Sequence, residues 1–163
     1  MKLISHRGNI DGPYPEWENT PEYVLKALET YDVAVDVWYI DGFYLGSDYP
    51  SSFVTPDFIR TPGLWCHAKT IIALKALLTY DVHCFFHQND DCTLTSKGYI
   101  WTCSGKQLTC QSVAVLPELQ DVSLCYGVCS DYISRYLVSP TSPSTPRLPG
   151  IHVEPGFGGQ LAD

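Results

Sequence analysis

The feature that most constrains the fold of this chain is a repeated pattern in which a short apolar run ends abruptly in polar residues. Such runs at 2–5, 33–40 and 64–69 predict strands, and the run at 33–40 is almost continuously apolar, as expected where protein covers both faces of a sheet. Helical spacing of apolar residues is found at 20–31 and at 70–79. The repeated order of strand, polar strand end and helix predicts an α/β protein with a parallel sheet.

Turn and capping residues mark the limits of the predicted elements. The pair Thr20-Pro21 is the expected N-cap and first position of the first helix. In the second helix Ile71, Leu74 and Leu78 share one face. Asp41-Gly42 is the expected turn into a second short strand. Further strands are predicted at 43–46, 82–87, 98–102, 112–116 and 124–130.

Length and composition bound the size, the partners and the compartment of the protein. The 163 residues suit one domain, and Ser139–Asp163, with five Pro and four Gly, is expected to be an extended or disordered tail beyond a folded unit at 1–138. Ten Lys plus Arg against eighteen Asp plus Glu give a formal net charge of −8, which argues against a nucleic-acid partner. No apolar run approaches the roughly 18 residues of a membrane span. The first eight residues are too polar for a signal peptide.

Seven cysteines lie in the predicted folded unit, at positions 66, 84, 92, 103, 110, 125 and 129. Their number is odd and no CxxC pair occurs, which predicts reduced thiols in a cytoplasmic protein and not a disulfide framework. His83, Cys84, His87 and Cys92 raise the alternative of a cytosolic zinc or thiol protein. Because the spacing lacks the paired ligands of zinc sites, buried or idle side chains are favoured.

An ordered set of short motifs carries the chemistry of the chain. In order, they are His6-Arg7-Gly8, Glu18-Asn19-Thr20, Asp36-Val37, Asp41-Gly42 and Leu45-Gly46-Ser47-Asp48. The set resembles the glycerophosphodiester phosphodiesterase family, within the phospholipase C-like phosphodiesterase superfamily. Later stretches at 64–69, 87–91, 94–101 and 129–132 resemble a small subgroup of that family. The resemblance covers roughly residues 2–136 and implies a TIM-type barrel.

The resemblance also implies metal-assisted hydrolysis of a small glycerol-type phosphodiester. A divalent cation, Mg²⁺ or Ca²⁺, offsets the charge that develops on the phosphate, and a guanidinium fork matches its oxygens. On this basis His6 is the expected acid/base, Arg7 and Lys69 bind phosphate, and Asp36 is a cation ligand. Glu18 is a further candidate ligand, or else a residue that orients His6 or Arg7.

Three positions depart from the family pattern. Ala34 stands where the family has the Glu of an E-x-D pair, Ser47 where it has a second histidine, and His67 where it has a carboxylate ligand. With His67 as a remaining candidate ligand, such a site should hold Mg²⁺ or Ca²⁺ weakly. Loss of an acid/base group costs about 10²–10⁴-fold in rate. The alternative is therefore a catalytically impaired family member that binds a polyol phosphate or serves structurally.

Other residues are candidates to replace the carboxylate ligand and the second histidine that the family pattern has. His87 lies at the end of its predicted strand and is the expected substitute for the second histidine. Asp48, Asp90 and Asp91 are the candidates to replace the lost ligand. Trp101 is a candidate to line the substrate pocket.

The length of the folded unit sharpens the predicted fold. A TIM barrel usually takes about 250 residues, whereas 1–138 offers too few for eight full units of strand, helix and two loops. We therefore expect a reduced TIM-type (β/α) barrel with few, short outer helices. In such a barrel the polar strand ends share one rim, where active sites of this architecture lie.

Overall fold

The computed structural model describes residues 1–137, so the predicted tail at 139–163 lies outside it. In the described range the strands are β1 (Lys2–His6), β2 (Asp32–Tyr39), β3 (Phe43–Leu45), β4 (Ser52–Val54), β5 (Leu64–Ala68), β6 (Cys84–Phe85), β7 (Cys92–Leu94), β8 (Ile100–Thr102), β9 (Ser112–Val115) and β10 (Gly127–Ser130). The helices are α1 (Pro21–Leu28), α2 (Pro56–Ile59) and α3 (Ile71–Thr79), with a 3₁₀ turn at Ile133–Tyr136. None of these helices has the length and apolar character that a membrane crossing requires.

Seven of the strands run parallel, in the order β6-β5-β2-β1-β10-β9-β8. This confirms the predicted α/β fold with a parallel sheet. The turn at Asp41-Gly42 leads into β3, which pairs antiparallel with the end of β2 as predicted. β4 and β7 add short antiparallel strands next to β3 and β8. Within residues 1–137 no hydrogen-bonded ladder joins β6 to β8, so the sheet stays open there.

One face of the sheet carries a cluster to which each of the seven parallel strands contributes one buried side chain. The members are Ile4, Ala34, Trp65, Phe85, Trp101, Val113 and Cys129. Phe85 of β6 and Trp101 of β8 have ring centroids 4.5 Å apart. The sheet therefore curves until its two outer parallel strands touch through their side chains.

The opposite face of the sheet packs against the helices. α1 contacts β2, and α3 contacts β2 and β5. α3 buries Ala73 and Leu77, whereas Ile71 and Leu78 are 62% and 54% exposed, so the face that their spacing defined is not the buried one. Apolar residues lie on nearly all sides of this helix, and spacing alone does not select a face.

Several elements differ in length from their predictions. β6 covers two residues of the predicted 82–87 strand, and β10 starts at 127 instead of 124. β4, α2 and β7 were not predicted, because elements of three or four residues are too short to show a period. The three helices of the described range span eight, four and nine residues, as expected for few, short helices.

Candidate active site

A cavity of about 420 Å³ lies where the parallel strands end. The four residues predicted to be catalytic and the predicted pocket residue all line it: His6, Arg7, Lys69, His87 and Trp101. Side chains alternate along a strand, so the same side as the cluster is faced by the cavity residues two positions beyond its members, among them His6, Asp36, His67 and His87. The strand register therefore brings these side chains together above the cluster.

The turn after β1 places Arg7 beside the end of β2. Arg7 has a φ of 57° and Gly8 a φ of 97°, and the Arg7 backbone N–H donates to the Ala34 carbonyl at 2.8 Å. A Cβ at position 8 would lie 2.5 Å from Cδ1 of Tyr23, so only glycine fits there. A non-glycine residue held at positive φ is a form of backbone strain that clusters at active sites and ligand clamps.

Asp36 is the residue that most of the others contact. It is buried, and its Oδ1 lies 2.8 Å from His67 Nδ1 and 3.5 Å from Lys69 Nζ. Its Oδ2 lies 2.8 Å from Arg7 Nε and accepts a hydrogen bond from Asn19 Nδ2 at 3.2 Å. The Arg7 Nε–H does not point at Oδ2, so that contact is an ion pair without hydrogen-bond geometry. Burial acts to raise the pKa of Asp36, but the His67 hydrogen bond and the charges of Arg7 and Lys69 outweigh it and hold the pKa well below its usual range.

Asn19 fixes Asp36 from the loop before α1. It is buried with a φ of 59°, and its Oδ1 accepts a hydrogen bond of 2.9 Å from the Asp36 backbone N–H. Its Nδ2 also donates to Ser47 Oγ at 3.0 Å. Ser47 thus holds the side-chain amide of Asn19. The family pattern has a histidine at this position.

A second set of contacts surrounds His6. Its Nδ1 lies 2.8 Å from Asp131 Oδ1, and Asn9 Nδ2 donates to the same oxygen at 2.7 Å. Asn9 Nδ2 also donates to Glu18 Oε1 at 2.9 Å, while Glu18 Oε2 accepts from Arg7 Nη1 at 3.0 Å. Glu18 therefore orients Arg7. Burial acts to raise the pKa of Asp131, but its hydrogen bond from His6 leads the effects that bring it below the usual value.

His67 connects Asp36 to the segment after β6. Its Nε2 lies 3.3 Å from the His87 carbonyl oxygen, and the two imidazole rings stack with centroids 4.6 Å apart. Burial, followed by the neighbouring His67, lowers the pKa of His87. His87 is therefore neutral near pH 7 and able to accept a proton.

Several polar atoms on the cavity have no hydrogen-bond partner among residues 1–137. Besides the buried Nε of Arg7, they include Arg7 Nη2, His6 Nε2, the two ring nitrogens of His87 and the indole Nε1 of Trp101. The closest acceptor to Lys69 Nζ is 3.5 Å away, which leaves its protons available to a ligand. The arrangement can bind an anion and exchange protons with it.

The predicted cation ligands do not fit a divalent cation as they are arranged. Mg²⁺ and Ca²⁺ need several oxygen ligands that face one point, but both oxygens of Asp36 face nitrogen donors, and Glu18 is engaged by Arg7. His67 directs Nδ1 to Asp36 and not to a shared centre. Asp91, a candidate replacement, pairs with a lysine instead, at 2.7 Å. Over the described range no three His, Cys, Asp or Glu side chains gather as metal ligands would.

The residues of the zinc alternative are likewise dispersed over the fold. All seven cysteines are free thiols, with Cys84 buried in the core and Cys92 exposed. His83 Nε2 lies 2.8 Å from Thr95 Oγ1, and burial is the main cause that lowers the pKa of His83 to about 4. His83 and Cys84 therefore belong to the packing around β6, whereas His87 lines the cavity and Cys92 is exposed.

Three residues of the site had no role assigned from the sequence: Asn9, Asn19 and Asp131. Asp131 follows a strand as a polar residue, which is the signal that places a side chain at the rim. Asn19 belongs to a motif that was recognised, but its contact with Asp36 depends on the loop conformation. Asn9 lies in a loop with no pattern of its own, and its bridge between two carboxylates is visible only in three dimensions.

Comparisons with protein families, with curated proteins and with solved structures gave no match to this chain. The resemblance noted in the motifs therefore remains a prediction. What supports a function is the geometry of the cavity.

Proposed function

We propose that this chain hydrolyses glycerol-type phosphodiesters, with His6 as acid/base and Arg7 and Lys69 binding the phosphate. One observation carries the proposal: His6, oriented by Asp131, shares a cavity with Arg7 and Lys69. A guanidinium and an ammonium group offset the charge that develops on a phosphodiester as it is attacked. The motifs that resemble the glycerophosphodiester phosphodiesterase family favour the same substrate class.

His6 and His87 divide the proton transfers in this proposal. Asp131 holds Nδ1 of His6, which leaves Nε2 to face the substrate. The neutral imidazole of His87 takes a proton from the attacking water as the water oxygen bonds to phosphorus. The bond from phosphorus to the alcohol oxygen breaks, and protonated His6 donates from Nε2 to the departing alkoxide.

We further propose that the seven parallel strands form a reduced TIM-type barrel. The shared cluster on the inner face and the Phe85–Trp101 contact support this closure. The gap between β6 and β8 is partly filled by the segment after β7, where the Ser96 N–H donates to the Cys84 carbonyl at 2.8 Å. Nuclear Overhauser contacts between the rings of Phe85 and Trp101 in solution would support the barrel, and their absence would contradict it.

The hydrolysis is tested by incubating the protein with glycerophosphodiesters of several alcohols and following ³¹P NMR. We expect the diester resonance to be replaced by that of a monoester. Lys69→Met should slow this conversion at least about tenfold, because a charge-assisted contact to the phosphate is lost. Lys75→Met, an exposed lysine of α3, is the matched control and should leave the rate unchanged. Equal rates for the two variants would contradict the assignment.

A second candidate function is binding of a polyol phosphate without turnover. Two observations favour it: Ala34 lines the cavity without an ionisable group, and Ser47 is engaged by Asn19. Binding of glycerol phosphate with no diester cleavage would support this candidate. The double variant Ala34→Glu with Ser47→His then tests the placement of the site, because it restores the family pattern. Activity that stays at background in this variant would show the placement to be wrong.

A further inference from the structure

We infer that the cavity binds its phosphate group without a divalent cation, and that Asp36 anchors cationic side chains instead of ligating a metal. The inference rests on the proposed function, since it concerns how the same cavity holds the phosphate. It differs from what the family resemblance implies, namely metal-assisted chemistry.

Both oxygens of Asp36 already face nitrogen groups, since each accepts one hydrogen bond and lies against one cationic side chain. An ionised carboxylate offers about four lone-pair directions, and four nitrogen atoms lie against it. His67 Nδ1 and Lys69 Nζ face Oδ1 at 2.8 and 3.5 Å, while Arg7 Nε and Asn19 Nδ2 face Oδ2 at 2.8 and 3.2 Å. A cation on either oxygen would have to displace one of these nitrogens. It would also lie beside the charges of Arg7 and Lys69, which repel it.

The charges that line the cavity favour an anion. Its lining includes two permanent cations, Arg7 and Lys69, and Asp36 as its one carboxylate. Two positions where the family pattern has carboxylates are Ala34 and His67 here, so negative charge is missing where a metal would need it. The residues that line the cavity therefore carry one more positive than negative charge, while Glu18 and Asp131 lie behind them against Arg7 and His6.

The cationic groups are held in place before a ligand arrives. Glu18 fixes Nη1 of Arg7 at 3.0 Å, and Asp36 fixes Nε, which leaves Nη2 as the free arm of the guanidinium. Lys69 lies at the end of β5, where its backbone N–H donates to the Val37 carbonyl at 2.9 Å. Groups that are ordered in advance lose little conformational entropy on binding, which strengthens the contact they make. Arg7 and Lys69 therefore take over the charge compensation that a cation supplies elsewhere.

The test is titration calorimetry with inorganic phosphate, first in EDTA and then in excess Mg²⁺ or Ca²⁺. We expect dissociation constants that agree within about twofold in the three buffers. Lys69→Met should weaken binding in EDTA about tenfold, as loss of a charge-assisted contact does. Lys75→Met should leave it unchanged. Binding that appears only with a cation would overturn the inference, and so would absence of binding in every buffer.

A second pair of variants, at His67, tests the inference without changing Lys69. His67→Asp returns a carboxylate to the position and should weaken phosphate binding in EDTA more than His67→Asn, which has the same size and no charge. Equal effects of the two variants would overturn the inference. Neither titration decides whether the chain is a hydrolase, because cleavage of glycerophosphodiesters is measured separately. A cation requirement therefore refutes the inference and leaves the proposed hydrolysis standing.

Discussion

The two halves of the sheet differ in what covers them and in what they contribute to the cavity. In the half formed by β1, β2, β5 and β6, helices α1 and α3 pack on the outer face, and the strand ends carry the charged and imidazole side chains of the cavity. In the half formed by β7 to β10, the described chain between 92 and 130 has turns where the first half has helices. That half lines the cavity with Trp101 and Val115.

The two halves of the sheet therefore have different roles. In the half covered by helices, protein packs against both faces of the strands. The ion pairs of Asp36 form at the ends of these strands. The second half reaches that chemistry through Asp131, just after β10, which contacts His6 and Asn9; the contact with His6 joins residues 125 positions apart in the sequence. The first half is therefore expected to determine charge and stability, and the second half the orientation of one histidine.

The largest effect is expected from Asp36→Asn, which removes the charge at the centre of the first half. It leaves Lys69 without its counter-ion and Arg7 with Glu18 alone, and breaking a buried pair in this way costs about 3 kcal/mol of unfolding free energy. If Arg7 and Lys69 bind the phosphate as proposed, hydrolysis should fall at least about 10³-fold, because both groups lose their position. Urea unfolding and the ³¹P assay measure the two effects.

The control for this substitution is Asp81→Asn, which breaks an ion pair to Lys97 that is shorter, at 2.6 Å, but exposed. The midpoint of urea unfolding should hardly change, because solvent screens exposed pairs. A loss of stability as large as that of Asp36→Asn would show that burial is not what makes the Asp36 contacts important.

The next largest effect tests the contact between the two halves. Asp131→Asn should lower kcat about 10²-fold and leave the affinity for inorganic phosphate nearly unchanged, because it disturbs the orientation of His6 and not the phosphate contacts. Asp121→Asn, an exposed carboxylate of the same half, is the control. A loss of phosphate affinity in Asp131→Asn would mean that this residue serves binding and not orientation.

A pair of glycines compares the backbone of the two halves. Gly8 and Gly98 both have positive φ, at 97° and 86°, but only at Gly8 would a Cβ clash, 2.5 Å from Tyr23. Gly98→Ala should cost about 1 kcal/mol through the backbone alone, and Gly8→Ala about 2 kcal/mol or more, because the ring must also move. Chemical unfolding of both variants checks this, and equal costs would show that Tyr23 moves aside freely.

The smallest effect is expected on the free energy of unfolding at acidic pH. The folded pKa of Asp36 lies below its unfolded value of about 3.9. Asp36 therefore contributes stability that is fully present above that value and is lost as pH falls through the folded pKa. At pH 3 we expect a loss of about 1 kcal/mol of this contribution. The stability gap between the native protein and Asp36→Asn should accordingly be smaller at pH 3 than at pH 6, and a constant gap would contradict the cause given for the lowered pKa.

The sequence predicted the longer elements of the fold more accurately than the shortest ones. β1, β2 and β5 were predicted nearly to their ends, because polar residues follow each apolar run and mark its limit. α3 was predicted as a helix but with the wrong face, since a helix that is apolar all round has no periodic signal. β6, with two residues, and β7, with three, depend on pairing with neighbours that a local pattern does not contain.

The candidate site was predicted in the same uneven way. His6, Arg7, Lys69, His87 and Trp101 were chosen as residues at strand ends or in motifs, and they share one cavity because strand ends meet in space. The contacts of Asn9 depend on the conformation of its loop, which the sequence does not show. Asp36 was predicted as a cation ligand, and its contacts with nitrogen donors are visible only in three dimensions.

The most direct test of the account is the rate of glycerophosphodiester cleavage by the native protein and by His6→Gln, measured in EDTA. The account predicts cleavage by the native protein and a rate at least about 10²-fold lower for the variant, because the proton donor to the leaving alkoxide is gone. Equal rates for the two proteins, or no cleavage by either with any alcohol group, would contradict it.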